Sequence, residues 1–262
     1  MADPPHPPPS LEQLGFQYQP VAPLQPGLAG WHEALVRWHL PDGTIRGPLD
    51  VLPYWLGPHR QPTFTRFTVD HAAAVLQRDT HARLSINLSP RQVVHPNALA
   101  SLEGVLPALR GRLIVEVTEQ RYRDVGGLWS SLEALAERCD LVILDDLTLD
   151  DLDLESRAHA PVDGIKLDRS VLAALVDPDR RAATAEAVRA TAGRYTIVVA
   201  EGLEDPRHVE ALDGLGVTHV QGFGIGHPAA QLDAVAVPWL SDAPVRPDVG
   251  AHRPRPARYR RG

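Results

Sequence analysis

The run Leu141-Val142-Ile143-Leu144-Asp145-Asp146 sets four apolar residues against two adjacent carboxylates. A short apolar run of this kind suits a fully buried strand, and it delivers acids past its C-terminal end. Working outward, five more stretches repeat the design. Arg83–Asn87 closes on Asn87, Leu113–Val117 carries Glu116 late, and Gly164–Leu167 carries Lys166. Thr196–Glu201 ends on Glu201, and His219–Phe223 carries Gln221. Helical patterns lie between them at Thr63–Gln77, Leu128–Arg138, Arg181–Ala192 and Asp205–Leu215. The last opens with Asp205-Pro206, an N-cap followed by a first-turn proline, and meets Gly216 as a stop. Alternating strands and helices predict parallel pairing. With Phe16–Val21 and Trp31–Trp38 the chain has eight strands, which predicts an α/β fold, a TIM-like (β/α)8 barrel. The first two strands are joined only by Ala22–Gly30, too short for a crossover helix, so they are expected to pair as a hairpin.

In such a barrel the C-terminal strand ends converge on one mouth, where active sites are built. One polar strand end would be an ordinary cap; six in register point to a site. Glu33 is a seventh contributor. Alternation along Trp31–Trp38 puts Glu33, Leu35 and Arg37 on one face. Because Glu33 stands near the start of its strand, it is expected to reach the mouth only if that strand runs antiparallel to the rest.

Clustered at one mouth, Glu33, Glu116, Asp145, Asp146 and Glu201 need raised pKa values or bound cations. Hard oxygen ligands of this type select Mg²⁺ or Mn²⁺, and Asn87 adds a neutral oxygen. The alternative is pairing with some of the arginines. No Cys-x-x-Cys, His-x-His or His-Glu-x-x-His spacing offers a zinc site. Lys166 is the only lysine among 26 permanent cations. A chain so biased towards arginine keeps lysine where a compact ammonium matters for geometry or proton chemistry. The run Gly222-Phe223-Gly224-Ile225-Gly226 looks like a phosphate loop, but no N-terminal βαβ unit surrounds it.

Composition bounds the rest. With 44% hydrophobic and 23% charged residues, the 262-residue chain is ordinary globular protein. Its opening MADPPHPPPS is not a signal peptide, its apolar runs are strand-sized, and the single Cys139 fits a reducing compartment, so the cytoplasm is expected. Residues 1–15 read as a Pro-rich disordered leader, 16–240 as one domain, and 241–262 as a Pro/Arg-rich tail. The stretch Ala243–Gly262 has six arginines against Asp248, a charge of +5, so the net −7 leaves −12 on the remainder. An acidic body is a poor partner for polymeric nucleic acid, whose phosphates seek Lys and Arg. The tail itself reads as solvated, with RNA, a membrane surface or an acidic protein as alternatives.

At these residues the chain resembles the EAL family of cyclic di-GMP phosphodiesterases from Phe16 to Pro228. The carrying segments are YQPV at Tyr18–Val21, HEALVRW at His32–Trp38, INLSPRQV at Ile86–Val93 and VEVTE at Val115–Glu119. LDD at Leu144–Asp146, IKLDRSVL at Ile165–Leu172, VVAEGLED at Val198–Asp205 and VQGFGIGHP at Val220–Pro228 complete the order. The resemblance implies a modified barrel with one antiparallel strand. It implies Glu33, Asn87, Glu116 and Asp145 as metal ligands, with Asp146 serving a second cation. Lys166 and Glu201 would hold or activate the attacking water; Arg37 and Gln221 would contact the dinucleotide. The implied reaction is Mg²⁺- or Mn²⁺-dependent hydrolysis of cyclic di-GMP to linear pGpG, with a homodimer as candidate assembly.

One departure stands out. Where the family reads Phe-Gly-Thr-Gly-Tyr-Ser-Ser, this chain has Leu147-Thr148-Leu149-Asp150-Asp151-Leu152-Asp153. Without the glycines, positive φ in the loop becomes costly, and Glu119 loses the loop partner its family counterpart has. Complete ligands favour an active phosphodiesterase. The altered loop favours a non-catalytic receptor for cyclic di-GMP or a protein-interaction module.

Overall fold

The computed structural model describes residues 8–118, 125–152 and 160–232. The basic tail, residues 1–7 of the leader, Asp153 and Glu119 lie outside the described residues. The strands are β1 (Leu14–Pro23), β2 (Trp31–His39), β3 (Ile45–Arg46), β4 (Leu84–Leu88), β5 (Leu113–Thr118), β6 (Leu141–Leu147), β7 (Gly164–Leu167), β8 (Ile197–Ala200) and β9 (His219–Gln221). The helices are α1 (Pro48–Trp55), α2 (Gln61–Arg78), α3 (Pro90–Val93), α4 (Pro96–Glu103), α5 (Pro107–Arg110), α6 (Val125–Ala136), α7 (Leu149–Leu152), α8 (Arg169–Val176) and α9 (Arg181–Ala192). β1 begins two residues ahead of the expected start, after a 3-10 turn at Leu11–Gln13. The segment expected as a helix from Asp205 is a 3-10 helix, Pro206–Leu212. Asp205 caps it as expected, accepting from the Arg207 amide at 2.9 Å.

The sheet order β1-β9-β8-β7-β6-β5-β4-β2-β3, with β1 also paired to β2, closes eight strands into a barrel and leaves β3 outside on β2. The expected hairpin is present: Leu14 to Val21 face Trp38 to Trp31 in antiparallel register. β1 is antiparallel to β9 as well, whereas β2 runs parallel to β4. The reversed strand is therefore β1, and the expectation that Glu33's own strand is reversed is corrected.

The floor of the barrel shows why Glu33 reaches the mouth regardless. Val21, Trp31, Ile114, Ile143 and Val199 form an apolar plug inside it. Two residues further along β2, β5 and β6, and just past the end of β8, alternation puts Glu33, Glu116, Asp145 and Glu201 one inward step above the plug. On the reversed β1 the same step runs backwards, from Val21 to Gln19. Level above the plug, and not position within a strand, decides which side chains share the mouth. Between the barrel and its helices lie two larger cores, one packed around Leu84, Ile86 and Leu76, the other around Ile165, Leu167 and Leu175. Among the described residues no helix is long and apolar enough to cross a membrane.

His219 completes the floor. Its ring lies 4.6 Å from that of Trp31, and its Nε2 is 3.3 Å from the Ala29 carbonyl. Burial lowers its pKa to about 4 from 6.5, and only the Ala29 hydrogen bond opposes this. Between those values the unfolded chain takes up a proton that the folded chain refuses. Stability from this site is full above pH 6.5 and falls as the pH drops towards 4. Between pH 7 and 5, wild type is expected to lose about 2 kcal/mol more than His219→Gln. Urea unfolding at the two pH values measures this, and equal losses would remove His219 as the cause.

Candidate active site

Lys166 stands at the centre of the mouth, 1% exposed, on β7. Its Nζ lies 2.6 Å from Glu201 Oε1, 3.0 Å from Glu116 Oε2, 3.1 Å from Glu33 Oε2 and 3.3 Å from Asp145 Oδ1. Burial alone would strip the proton from this amine, but the four carboxylates outweigh it and hold the pKa well above its usual value. The ammonium is thus a fixed positive charge that donates to Glu33 and Glu116 and forms ion pairs with Asp145 and Glu201.

The acids respond unequally. Burial raises Glu116 to about 7 against the pull of Lys166, since Glu33 is also near. Asp145 rises well above the usual range for the same reasons, with Glu201 adding repulsion. Burial also raises Glu201 and Asp146. Glu33 alone falls. Burial pushes it up, but the Lys166 charge and hydrogen bonds from Gln221, Asn87 and Lys166 more than compensate. Gln221 Nε2 donates to Glu33 Oε2 at 2.7 Å, and Asn87 Nδ2 donates to Glu33 Oε1.

Two triads of carboxylate oxygens fall within 4.8 Å of one another: Glu33, Glu116 and Asp145, and Asp145, Asp146 and Glu201. Asp145 belongs to both. Among the described residues, Asn87 Oδ1, Glu116 Oε1 and Gln221 Oε1 are buried with no hydrogen-bond partner. Orphaned buried acceptors are rare and costly, and oxygens of this kind beside carboxylates are what a hard divalent cation takes as ligands. The donor set fits such cations.

Of the nine residues expected at the site, eight meet on one floor. Arg37 does not join them. Its Nε donates to Gln17 Oε1 at 2.7 Å and it also donates to the Val36 carbonyl, so it sits above the acids, towards β1. Gln19 was not anticipated. It lines the cavity, accepts from Gln221 Nε2 at 3.3 Å and donates to the Gly226 carbonyl. It stands in the segment Tyr18–Val21 that carries the resemblance, where no site role was expected of it, and its place two residues before the plug residue Val21 on a reversed strand explains the role.

The glycine run is explained by packing. A Cβ on Gly222 would lie 2.3 Å from both N and O of Leu203, because the segments following β8 and β9 cross backbone to backbone. Leu203 N donates to the Gln221 carbonyl at 3.0 Å and Gly224 N to the Leu203 carbonyl at 2.7 Å. Gly202 has φ +75° and faces Arg169, whose Cβ would be 2.4 Å from an added methyl. These contacts fix Glu201 and Gln221, which flank the crossing. Above the floor opens a cavity of about 490 Å³, walled on one side by Leu35, Pro48, Leu52 and Phe64 and edged by Phe223, which is 56% exposed.

The sequence profile of the EAL domain family matches residues 9–228. An uncharacterized signaling protein of Caulobacter vibrioides is 30% identical over 253 residues, covering 93% of this chain and 30% of its own length. The bifunctional diguanylate cyclase/cyclic di-GMP phosphodiesterase MucR of Pseudomonas aeruginosa is 29% identical over 230 residues, 82% of this chain and 33% of that protein. The cyclic di-GMP phosphodiesterase PdeR of Escherichia coli is 27% identical over 226 residues, 83% and 34% of the two chains. The chain thus spans about a third of the length of these relatives. Among solved structures, the PaMucR phosphodiesterase in its c-di-GMP complex superposes with a TM-score of 0.69 at 26% identity, covering 83% of this chain and 92% of that one. The FimX EAL domain of Xanthomonas citri shares the fold, with a TM-score of 0.70 at 22% identity over 85% and 91% of the two chains. With its barrel, its reversed first strand and a profile match over most of its length, this chain belongs to the EAL domain family.

Proposed function

We propose that this chain binds cyclic di-GMP at the barrel mouth and hydrolyses one phosphodiester to give linear pGpG, using two divalent cations, Mg²⁺ or Mn²⁺. The observation that carries the reading is the charge on the floor. Fully ionised, the five carboxylates supply −5 and Lys166 +1, leaving −4 that burial resists and that bound cations would offset. Two divalent cations bring this to zero, and two overlapping triads are there to hold them. Glu33, Asn87, Glu116 and Asp145 would hold the first, and Asp145, Asp146 and Glu201 the second. Bound there, the cations lower the pKa of a water and offset charge on the phosphoryl oxygens.

The chain's own groups do the remaining work. Lys166, fixed as an ammonium, orients the attacking water by donation. Glu201 is its most exposed carboxylate partner, at 20% against 0–8% for the others, so it faces the solvent side and can accept the proton. The apolar wall and the exposed Phe223 ring suit the two purines. Arg37 would contact a phosphate after exchanging Gln17 for it, and Gln221 would contact the ligand from its Glu33-anchored position. A homodimer in the reducing cytoplasm is the proposed setting.

The test is chromatography of pGpG from purified protein with Mg²⁺ or Mn²⁺, beside a binding titration in Ca²⁺. Metal-dependent turnover is expected. Tight binding without turnover would make the chain a receptor, and neither would leave a barrel used for protein contacts.

A further inference from the structure

Adjacent residues on a regular strand point to opposite faces, so Asp145 and Asp146 should not both serve one mouth. A bulge in β6 resolves this. Leu144 pairs with Ile165 and Leu147 with Leu167, three residues against two. Ile143 therefore lies in the plug inside the barrel, while Leu147 lies in the outer core, 1% exposed. The extra residue is Asp146, with φ +62°, the only non-glycine at positive φ among the described residues. Aspartate tolerates this region better than most residues, but a left-handed non-glycine still costs about 1–2 kcal/mol. Something must hold it.

The hold comes from both sides. Before it, Asp145 is fixed by Lys166 and accepts from the Asp146 amide at 3.0 Å. After it, the Leu147 carbonyl accepts from Asp168 N at 2.9 Å. Thr148 then donates from N and Oγ1 to Asp151 Oδ2, at 2.9 and 2.6 Å, closing the turn that opens α7. Leu152 is buried and Leu149 half-buried in the core beside α8 and α9. The divergent loop thus avoids positive φ at Thr148 and Asp150, where the family pattern has glycine, and closes as a capped turn.

Resting on the two-cation reading above, we propose that Thr148 and Asp151 are positioning residues for the second cation. Their turn, anchored by Leu147 and Leu152, keeps Asp146 in the left-handed conformation that aims its carboxylate at Asp145 and Glu201. The family's glycine loop is replaced by a self-capped one.

The experiment is Mn²⁺ titration calorimetry, with electron paramagnetic resonance of the bound ions, on wild type, Thr148→Val, Asp151→Ala and the conservative Asp151→Asn. Circular dichroism checks that each variant is folded. Wild type is expected to bind two ions. Thr148→Val and Asp151→Ala should keep the first site and weaken the second roughly 10- to 100-fold, as loss of an outer-shell support does. Asp151→Asn, which can still accept from Thr148, should recover much of that loss. Either Thr148→Val or Asp151→Ala, folded and binding the second ion as wild type does, would overturn the proposal. Fewer than two ions on wild type would instead overturn the two-cation reading itself, and this proposal with it.

Discussion

Lys166→Met is expected to lower turnover of cyclic di-GMP by about 10²-fold, the usual cost of misplacing a reacting group, here the attacking water that Lys166 orients. In chelator it should also remove about 3–5 kcal/mol of unfolding free energy, the cost of deleting one partner of a buried ion pair. Four carboxylates lie within 3.3 Å of its Nζ, and three of them are at most 8% exposed. Without the ammonium they face one another with no positive charge between. Mn²⁺ should restore most of the stability, because cations can balance the acids, and should leave turnover low, because nothing then orients the water. Lys166→Arg should behave like Met, since a planar guanidinium cannot take the place of a compact ammonium enclosed by four acids. Urea unfolding with chelator and with Mn²⁺, beside pGpG chromatography, separates the two effects. A variant as stable as wild type in chelator would show that the acids do not depend on Lys166.

Much of this was legible in the sequence because polar residues interrupt apolar strands at their ends, an unusual enough pattern to mark one mouth. Asn87, Glu116, Asp145, Lys166, Glu201 and Gln221 all meet where that pattern placed them. What escaped was geometry that depends on the closed barrel. Glu33 looked misplaced because depth was judged from the start of its strand; one inward step above Trp31 is the same depth as Glu116 above Ile114. Gln19 was invisible for the complementary reason, lying before its plug residue on a strand that runs the other way. The bulge at Asp146 breaks the alternation on which strand reading rests, and no residue type announces it. Arg37 shares a face with Glu33 along β2, yet a glutamine on the neighbouring strand decides where its guanidinium goes.

Glu33 offers the second large effect. Its carboxylate receives Lys166, Gln221 and Asn87, and these keep it ionised despite burial. Glu33→Ala removes a ligand of the first triad and strands Asn87 and Gln221, each of which already has one buried oxygen without a partner among the described residues. Turnover should fall roughly 10²–10³-fold or more, the scale seen when a group that stabilises developing charge is deleted. Asn87→Ala should follow it. The ion count distinguishes this loss from that of Lys166→Met. Glu33→Ala leaves the triad Asp145, Asp146 and Glu201 intact, so bound Mn²⁺ should drop from two to one, whereas Lys166→Met should keep both. A variant that loses an ion and its turnover together is acting as a ligand; one that keeps both ions and loses turnover is acting on the water. Unchanged turnover in Glu33→Ala or Asn87→Ala would remove the metal assignment, because each variant deletes an oxygen that the first cation would use as a ligand.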